Sequence, residues 1–167
     1  MIIKSKILDI AGINQKIKRL AWQIYENNST EKDIIIVGIS ERGLILAKQL
    51  ADHINKISKI RTKLAHLDID KDTPYNKEVT LNLEVKEYTN KVVILVDDVL
   101  NSGKTLMYSA KHFLTIPLKR LAIMVLVDRN HNNYPVKADY VGLSLATTLK
   151  EYINVKLKGA NKGIYLS

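Results

Sequence analysis

Three stretches of this chain run apolar without a polar partner: IIIVGI at residues 34–39, VVILV at 92–96 and LAIMVLV at 121–127. A strand with one wet face alternates apolar and polar residues. An unbroken run therefore reads as a strand covered on both faces, as in a parallel sheet. Between these runs the period changes. Over residues 10–27, Ile13, Ile17, Leu20 and Ile24 share one stripe, while Lys16, Lys18, Arg19 and Gln23 point elsewhere, which predicts an amphipathic helix. Residues 44–57 repeat the pattern through Leu44, Ala47, Leu50, Ala51 and Ile54, and 103–114 reads as a further helix. Shorter strands are expected at 63–69 and 140–145. Strand and helix alternate with short connections. That predicts an α/β fold, a mostly parallel twisted sheet flanked by helices. The chain has 167 residues, which fits a single domain over 1–167. A domain of that length buries about 70% of its unfolded surface and needs no staple.

Residues 70–90 are the least regular. DKDTPYNK is loop. Beyond it Val79, Leu81, Leu83 and Val85 alternate with Thr80, Asn82, Glu84 and Lys86, which predicts a half-buried strand in a short flap over about 70–90. The turn-rich DRNHNNYP separates the last two core strands, and the tail from Tyr152 is mixed, broken by Gly159 and Gly163. Cysteine is absent, which excludes disulfides and thiolate metal sites and makes a reducing cytoplasm the simplest location. The opening MIIKSKILDI is broken by Lys4, Lys6 and Asp9 and does not read as a signal peptide. No apolar run approaches the ~20 residues that cross a bilayer, so no membrane partner is expected. The net charge of +9 and pI near 9.6 attract anions such as nucleotides, pyrophosphate or RNA.

In sheets of this kind, ligands sit outside the carboxyl ends of the strands. Polar clusters fall at that edge at residues 40–43, 68–72 and 97–105. The last is the most informative. The strand at 92–96 delivers Asp97 and Asp98. A turn of Asn101, Ser102 and Gly103 follows, and Lys104 and Thr105 open a helix. Backbone N–H groups, hydroxyls and a helix N-terminus then surround an anion-sized hole. Two acids beside it would repel a bare phosphate. They would hold the ring hydroxyls of a phosphorylated sugar, so the pattern points to a sugar phosphate. Gly103-Lys104-Thr105 is similar to the end of a Walker A loop, but the upstream glycine is missing and Asp98 would oppose a triphosphate.

The run from 92 to 105 resembles the PRPP-binding signature of type I phosphoribosyltransferases. VGISERGLILAKQLADHI at 37–54 resembles their pyrophosphate loop and following helix. VLVDRNHNNYPVKADYVG at 125–142 resembles a narrower group, the bifunctional pyrimidine operon attenuator and uracil phosphoribosyltransferase family, or PyrR family. The blocks agree in order and spacing over most of residues 10–157. The resemblance implies the type I phosphoribosyltransferase fold and transfer of a phosphoribosyl group from PRPP to a nucleobase, uracil foremost, with release of pyrophosphate. It implies a PRPP site of Asp97, Asp98, Val99, Leu100, Asn101, Ser102, Gly103, Lys104 and Thr105. It implies a pyrophosphate loop of Ser40, Glu41, Arg42 and Gly43. Asp97, Asp98 and Arg42 would be catalytic, with the two acids holding Mg²⁺. Arg129 and His131 would face the base. The family suggests a homo-oligomer, dimer or tetramer, for which Trp22 and Tyr25 offer apolar surface.

The chain departs from its relatives at defined points. Asn101 stands where hypoxanthine-guanine phosphoribosyltransferases, which the motif also resembles, place an acid near purine N7. This disfavours the alternative of a purine enzyme. Glu41 replaces a small polar residue and would repel pyrophosphate unless it points away. The flap is shortened and lacks the family's Tyr-Arg pair, leaving Lys71 and Lys77 to substitute. Glu41 and the thin flap favour another alternative, a nucleotide-sensing, RNA-binding regulator with weak or no catalysis. Lys18, Arg19 and Lys137 keep charge for RNA, while Trp22, Asn27 and Tyr152 stand where His or basic residues are expected. His53, His66 and His112 are isolated and are assigned no role.

Overall fold

A computed structural model describes residues 5–167. Strand β1 (Ser5–Asp9) leads into helix α1 (Ile10–Asn27). Asp9 caps this helix, its Oδ1 accepting the Gly12 N–H at 2.8 Å. Strand β2 (Asp33–Ile39), helix α2 (Ser40–Ile57) and strand β3 (Arg61–Asp68) follow. The flap carries β4 (Thr80–Leu81) and α3 (Val85–Tyr88). Strand β5 (Val92–Leu100), helix α4 (Lys104–Phe113), strand β6 (Arg120–Asp128) and strand β7 (Tyr140–Ser144) complete the core. Strands β8 (Ile153–Lys156) and β9 (Gly163–Leu166) end the chain.

The unbroken apolar runs become the middle of a six-stranded sheet of order β4-β3-β2-β5-β6-β7, parallel except where β4 meets β3. Successive side chains of a strand face opposite ways, and both faces are covered. On one face Ile34, Ile36, Ile94 and Val96 pack with Ile13, Leu20, Leu46 and Leu50 of α1 and α2. On the other, Ile35, Val37, Val93 and Leu95 pack with Leu106 and Phe113 of α4, Tyr88 of α3 and Ala138. The single α/β domain expected from the alternation is therefore present.

Several boundaries moved. Strand β5 continues past Val96 to Leu100, because Val99 and Leu100 pair with Val127 and Asp128 of β6. Asp97 and Asp98 thus lie inside a strand rather than after it. Residues 40–43, expected as loop, form the first turn of α2. The alternation over 79–86 yields a strand only at Thr80 and Leu81. There the Asn82 side-chain oxygen takes the His66 N–H at 2.7 Å, and the Glu84 N–H turns to the Glu87 carboxylate at 2.8 Å. That local bond starts α3 and ends the strand. The mixed tail is in fact ordered. β8 and β9 form a hairpin, Gly159 turns at φ 79°, and β9 pairs with β1 to give a three-stranded antiparallel sheet, β1-β9-β8.

Candidate active site

A cavity of about 320 Å³ opens at the carboxyl end of β5. Arg42, Lys71, Asp72, residues 97–106 and Ile153 line it. At its floor Asp97 and Asp98 are 2% and 3% exposed. The Asp98 N–H donates to Asp97 Oδ1 at 2.9 Å. Two cations meet the acids. Arg42 Nη1 lies 3.1 Å from Asp98 Oδ2. Lys71 Nζ lies 2.9 Å from Asp97 Oδ1 and 3.6 Å from Asp98 Oδ1. Burial, and then the charge of Asp98, push the Asp97 carboxyl up to about 7, against the pull of Lys71. Burial alone would lower the Lys71 ammonium, but the charges of Asp97 and Asp98 outweigh it and raise it.

The other wall is an anion cradle. Gly103 turns at φ 86°, and a Cβ there would stand 2.4 Å from Val136 Cγ1, so the loop is built for glycine. The Ser102 carbonyl is fixed by the N–H groups of Asn133 and Tyr134 at 2.8 and 3.0 Å. Helix α4 begins at Lys104, whose N–H donates to Ser102 Oγ at 3.2 Å, and the amides of Thr105 and Leu106 that follow have no partner within the helix. The Lys104 ammonium donates to the Asp72 carbonyl at 2.8 Å and ties the flap across the cavity mouth.

The sequence-predicted residues are not all brought together. Of the pyrophosphate loop, Arg42 lines the cavity, whereas Ser40, Glu41 and Gly43 do not. Ser40 takes φ 55°, which turns β2 into α2. Gly43 allows contact with β5, since a Cβ there would stand 2.5 Å from the Val96 carbonyl oxygen. Glu41 is exposed and ion-paired with Lys158. The Lys158 hydrogen bond and charge hold its carboxyl below the usual range. It points away, so the expected repulsion of pyrophosphate does not arise. Of the two flap lysines Lys71 enters the cavity, while Lys77 is 78% exposed beside Asp70.

Arg129, expected to face the base, does not line the cavity. Its guanidinium is buried behind the cavity wall and donates to Thr147 Oγ1 at 2.9 Å, Asn101 Oδ1 at 2.8 Å, and the carbonyls of Thr148 and Glu151 at 3.4 and 2.6 Å. Four of its five N–H donors are thus committed to Asn101 and residues 147–151, which it fixes. His131 is half-buried, its ring Nε2 against the Thr147 carbonyl, and does not line the cavity. Among the RNA candidates Lys18 is exposed on α1. Arg19 donates to the Val141 and Gly142 carbonyls at 3.1 and 2.8 Å. Lys137 is exposed between Val136 and Ala138, which pack on the sheet face opposite α1. Asp72 of the polar cluster read at 68–72 lines the cavity, and Leu106 and Ile153 do so without having been foreseen. Ile153 arrives from β8, for which the local sequence carried no signal.

The sequence matches the family described as the phosphoribosyl transferase domain over residues 4–157. It is 37% identical to the bifunctional protein PyrR of Clostridium acetobutylicum, covering 97% of this chain and 95% of that one. It is also 37% identical to the bifunctional protein PyrR of Brevibacillus brevis, covering 94% and 92%. The chain belongs to the PyrR family of phosphoribosyltransferases. As a PyrR-like phosphoribosyltransferase it is a pentosyltransferase. A hypoxanthine-guanine phosphoribosyltransferase from Bacillus anthracis superposes with a TM-score of 0.77 at 24% identity, covering 100% of this chain and 99% of that one. The hypoxanthine phosphoribosyltransferase of Trypanosoma cruzi gives 0.79 at 14% identity, covering 97% and 95%. At these identities the two structures establish the fold alone. No helix among the described residues is long and apolar enough to cross a membrane. The described residues contain no group of three or more His, Asp or Glu able to hold a metal by themselves.

Proposed function

We propose that this PyrR-like protein, acting in the cytoplasm, transfers the phosphoribosyl group of PRPP to uracil, forming UMP and releasing pyrophosphate. The observation that carries this reading is the buried acid pair set beside an amide-lined helix start. In such a cavity Asp97 and Asp98 accept hydrogen bonds from the ribose hydroxyls. Ser102, Gly103, Lys104 and Thr105 hold the 5′-phosphate through amides and hydroxyls. Val99 and Leu100 shape the floor, and Asn101, steadied by Arg129, stands between phosphate and base. Charge develops on the pyrophosphate as its bond to C1 breaks, and Arg42 opposes it. The oxygen donors of Asp97 and Asp98 suit Mg²⁺, which takes one or two carboxylates and otherwise substrate oxygens. That ion would neutralise the pyrophosphate oxygens. His131 sits close enough to the loop at Thr147 to shape the base pocket.

A purine substrate is disfavoured, because Asn101 is neutral and its side-chain oxygen already accepts from Arg129. The test is a panel of uracil, hypoxanthine, guanine, xanthine and orotate with PRPP and Mg²⁺. UMP from uracil at the highest kcat/KM is expected. Turnover of none of these bases would overturn the enzyme and leave a nucleotide sensor. Asp98→Asn should lower kcat/KM by at least about tenfold, and an unchanged rate would show that the acids are structural.

The names of the relatives and the +9 charge also support a regulatory role in which RNA is a partner. Lys18, Arg19 and Lys137 contribute charge to that contact. The protein further assembles as a homo-oligomer, dimer or tetramer. Trp22, 43% exposed on α1, offers apolar surface for it, with Tyr25 packed edge-on beside it at 6.0 Å.

A further inference from the structure

We propose that Lys71 is a resident counter-ion of the acid pair, displaced when PRPP and its metal arrive and then turned onto the departing pyrophosphate. This rests on reading the cavity as the PRPP site. Two carboxylates buried side by side are costly without a cation between them. Arg42 reaches Asp98 alone, from the first turn of α2. Lys71 is the group that touches both acids, 2.9 Å from Asp97 and 3.6 Å from Asp98. The carboxylate oxygens it holds are those that a divalent ion or the ribose hydroxyls must take. Occupancy by substrate and occupancy by the Lys71 ammonium therefore exclude each other.

The flap decides where the displaced ammonium goes. The Asp72 carbonyl, one residue on, is held by the Lys104 ammonium at 2.8 Å. A freed Lys71 thus stays in the mouth of the cavity that pyrophosphate must cross. The exchange needs a cation on a long flexible stem, which lysine supplies. Arg42 at the acids and Lys71 in the flap then approach the leaving group from two elements. Lys77, exposed and facing Asp70, takes no part. If Lys71 only neutralised the acids, its loss would alter stability and Mn²⁺ binding but leave kcat unchanged.

The experiment compares wild type, Lys71→Met and Lys71→Arg by two readouts. The first is binding of Mn²⁺ alone, followed by the electron paramagnetic resonance of the free ion. Removing the competitor should tighten Mn²⁺ binding by at least about fivefold in Lys71→Met. The second is steady-state kinetics at saturating base. There kcat should fall by at least about tenfold, with no rise in the KM for PRPP. Lys71→Arg should stay near wild type in both. Unchanged or weaker Mn²⁺ binding in Lys71→Met, or an unchanged kcat, overturns the proposal. A wild-type protein with no turnover would defeat the proposed function separately, and the Mn²⁺ titration would still decide the counter-ion.

Discussion

A carboxylate that is 2% exposed, as Asp97 is, is costly to the fold when ionised and cheap when protonated. Burial, and then the Asp98 charge, raise its carboxyl from 3.8 to about 7. Between those values the folded chain keeps a proton that the unfolded chain has released, so stability falls as pH rises through this window. Stability from this group is complete below the unfolded value and gone above the folded one. In metal-free buffer Asp97→Asn should therefore melt at or above the wild-type temperature at about pH 8, and lose that advantage at about pH 4. A variant that melts lower at both pH values would mean that the Asp97–Lys71 pair is a net stabiliser. Arg129 lies at the other extreme, with four of its five N–H donors placed and the residue 7% exposed. Arg129→Ala would strand Asn101 and the carbonyls of Thr148 and Glu151. It should destabilise by about 2–4 kcal/mol in denaturant unfolding, and a loosened loop would lower activity with it.

Among the elements, α2 and β5 meet at Gly43 with no room to spare. The Cβ of Gly43→Ala would lie 2.5 Å from the Val96 carbonyl oxygen, a backbone atom that cannot rotate away. The helix would lift from the strand and carry Arg42 away from Asp98. A stability loss of about 1–3 kcal/mol and a raised KM for PRPP are expected from thermal melts and kinetics. A wild-type KM would show that Arg42 reaches its place by another route. The core elements were legible because their signals are local: apolar runs for β2, β5 and β6, and a stripe every three or four residues for α1 and α2. The extension of β5 to Leu100 was not, since acids in a strand look like its end until the pairing with β6 is seen. The alternation of Leu81, Leu83 and Val85 was a true period with too few partners, and Glu87 diverted it into α3. That residues 97–105 line a cavity could be read from the motif. That Lys71 rather than Lys77 enters the site could not, because flap conformation is set by contacts with Asp97 and Lys104 far along the chain.

Across the whole molecule, the excess positive charge should appear as salt-dependent binding of RNA. A gel shift with single-stranded RNA should show a complex at low salt that weakens steeply as salt rises. Lys18→Glu should reduce it further, and no shift at low salt would end the regulatory reading. Sedimentation velocity should show a dimer or tetramer, and a monomer at assay concentration would remove the role given to Trp22. The sheet of β1, β9 and β8 brings Ile153 to the cavity, and its β8 carbonyl at Val155 accepts from Arg42 at 3.5 Å. Its first and last strands lie far apart in the chain, with Ser5 facing Leu166. The parallel core closes without them. Removing residues 153–166 should therefore leave the six-stranded sheet folded while stripping Ile153 and the Val155 carbonyl from the side of the cavity.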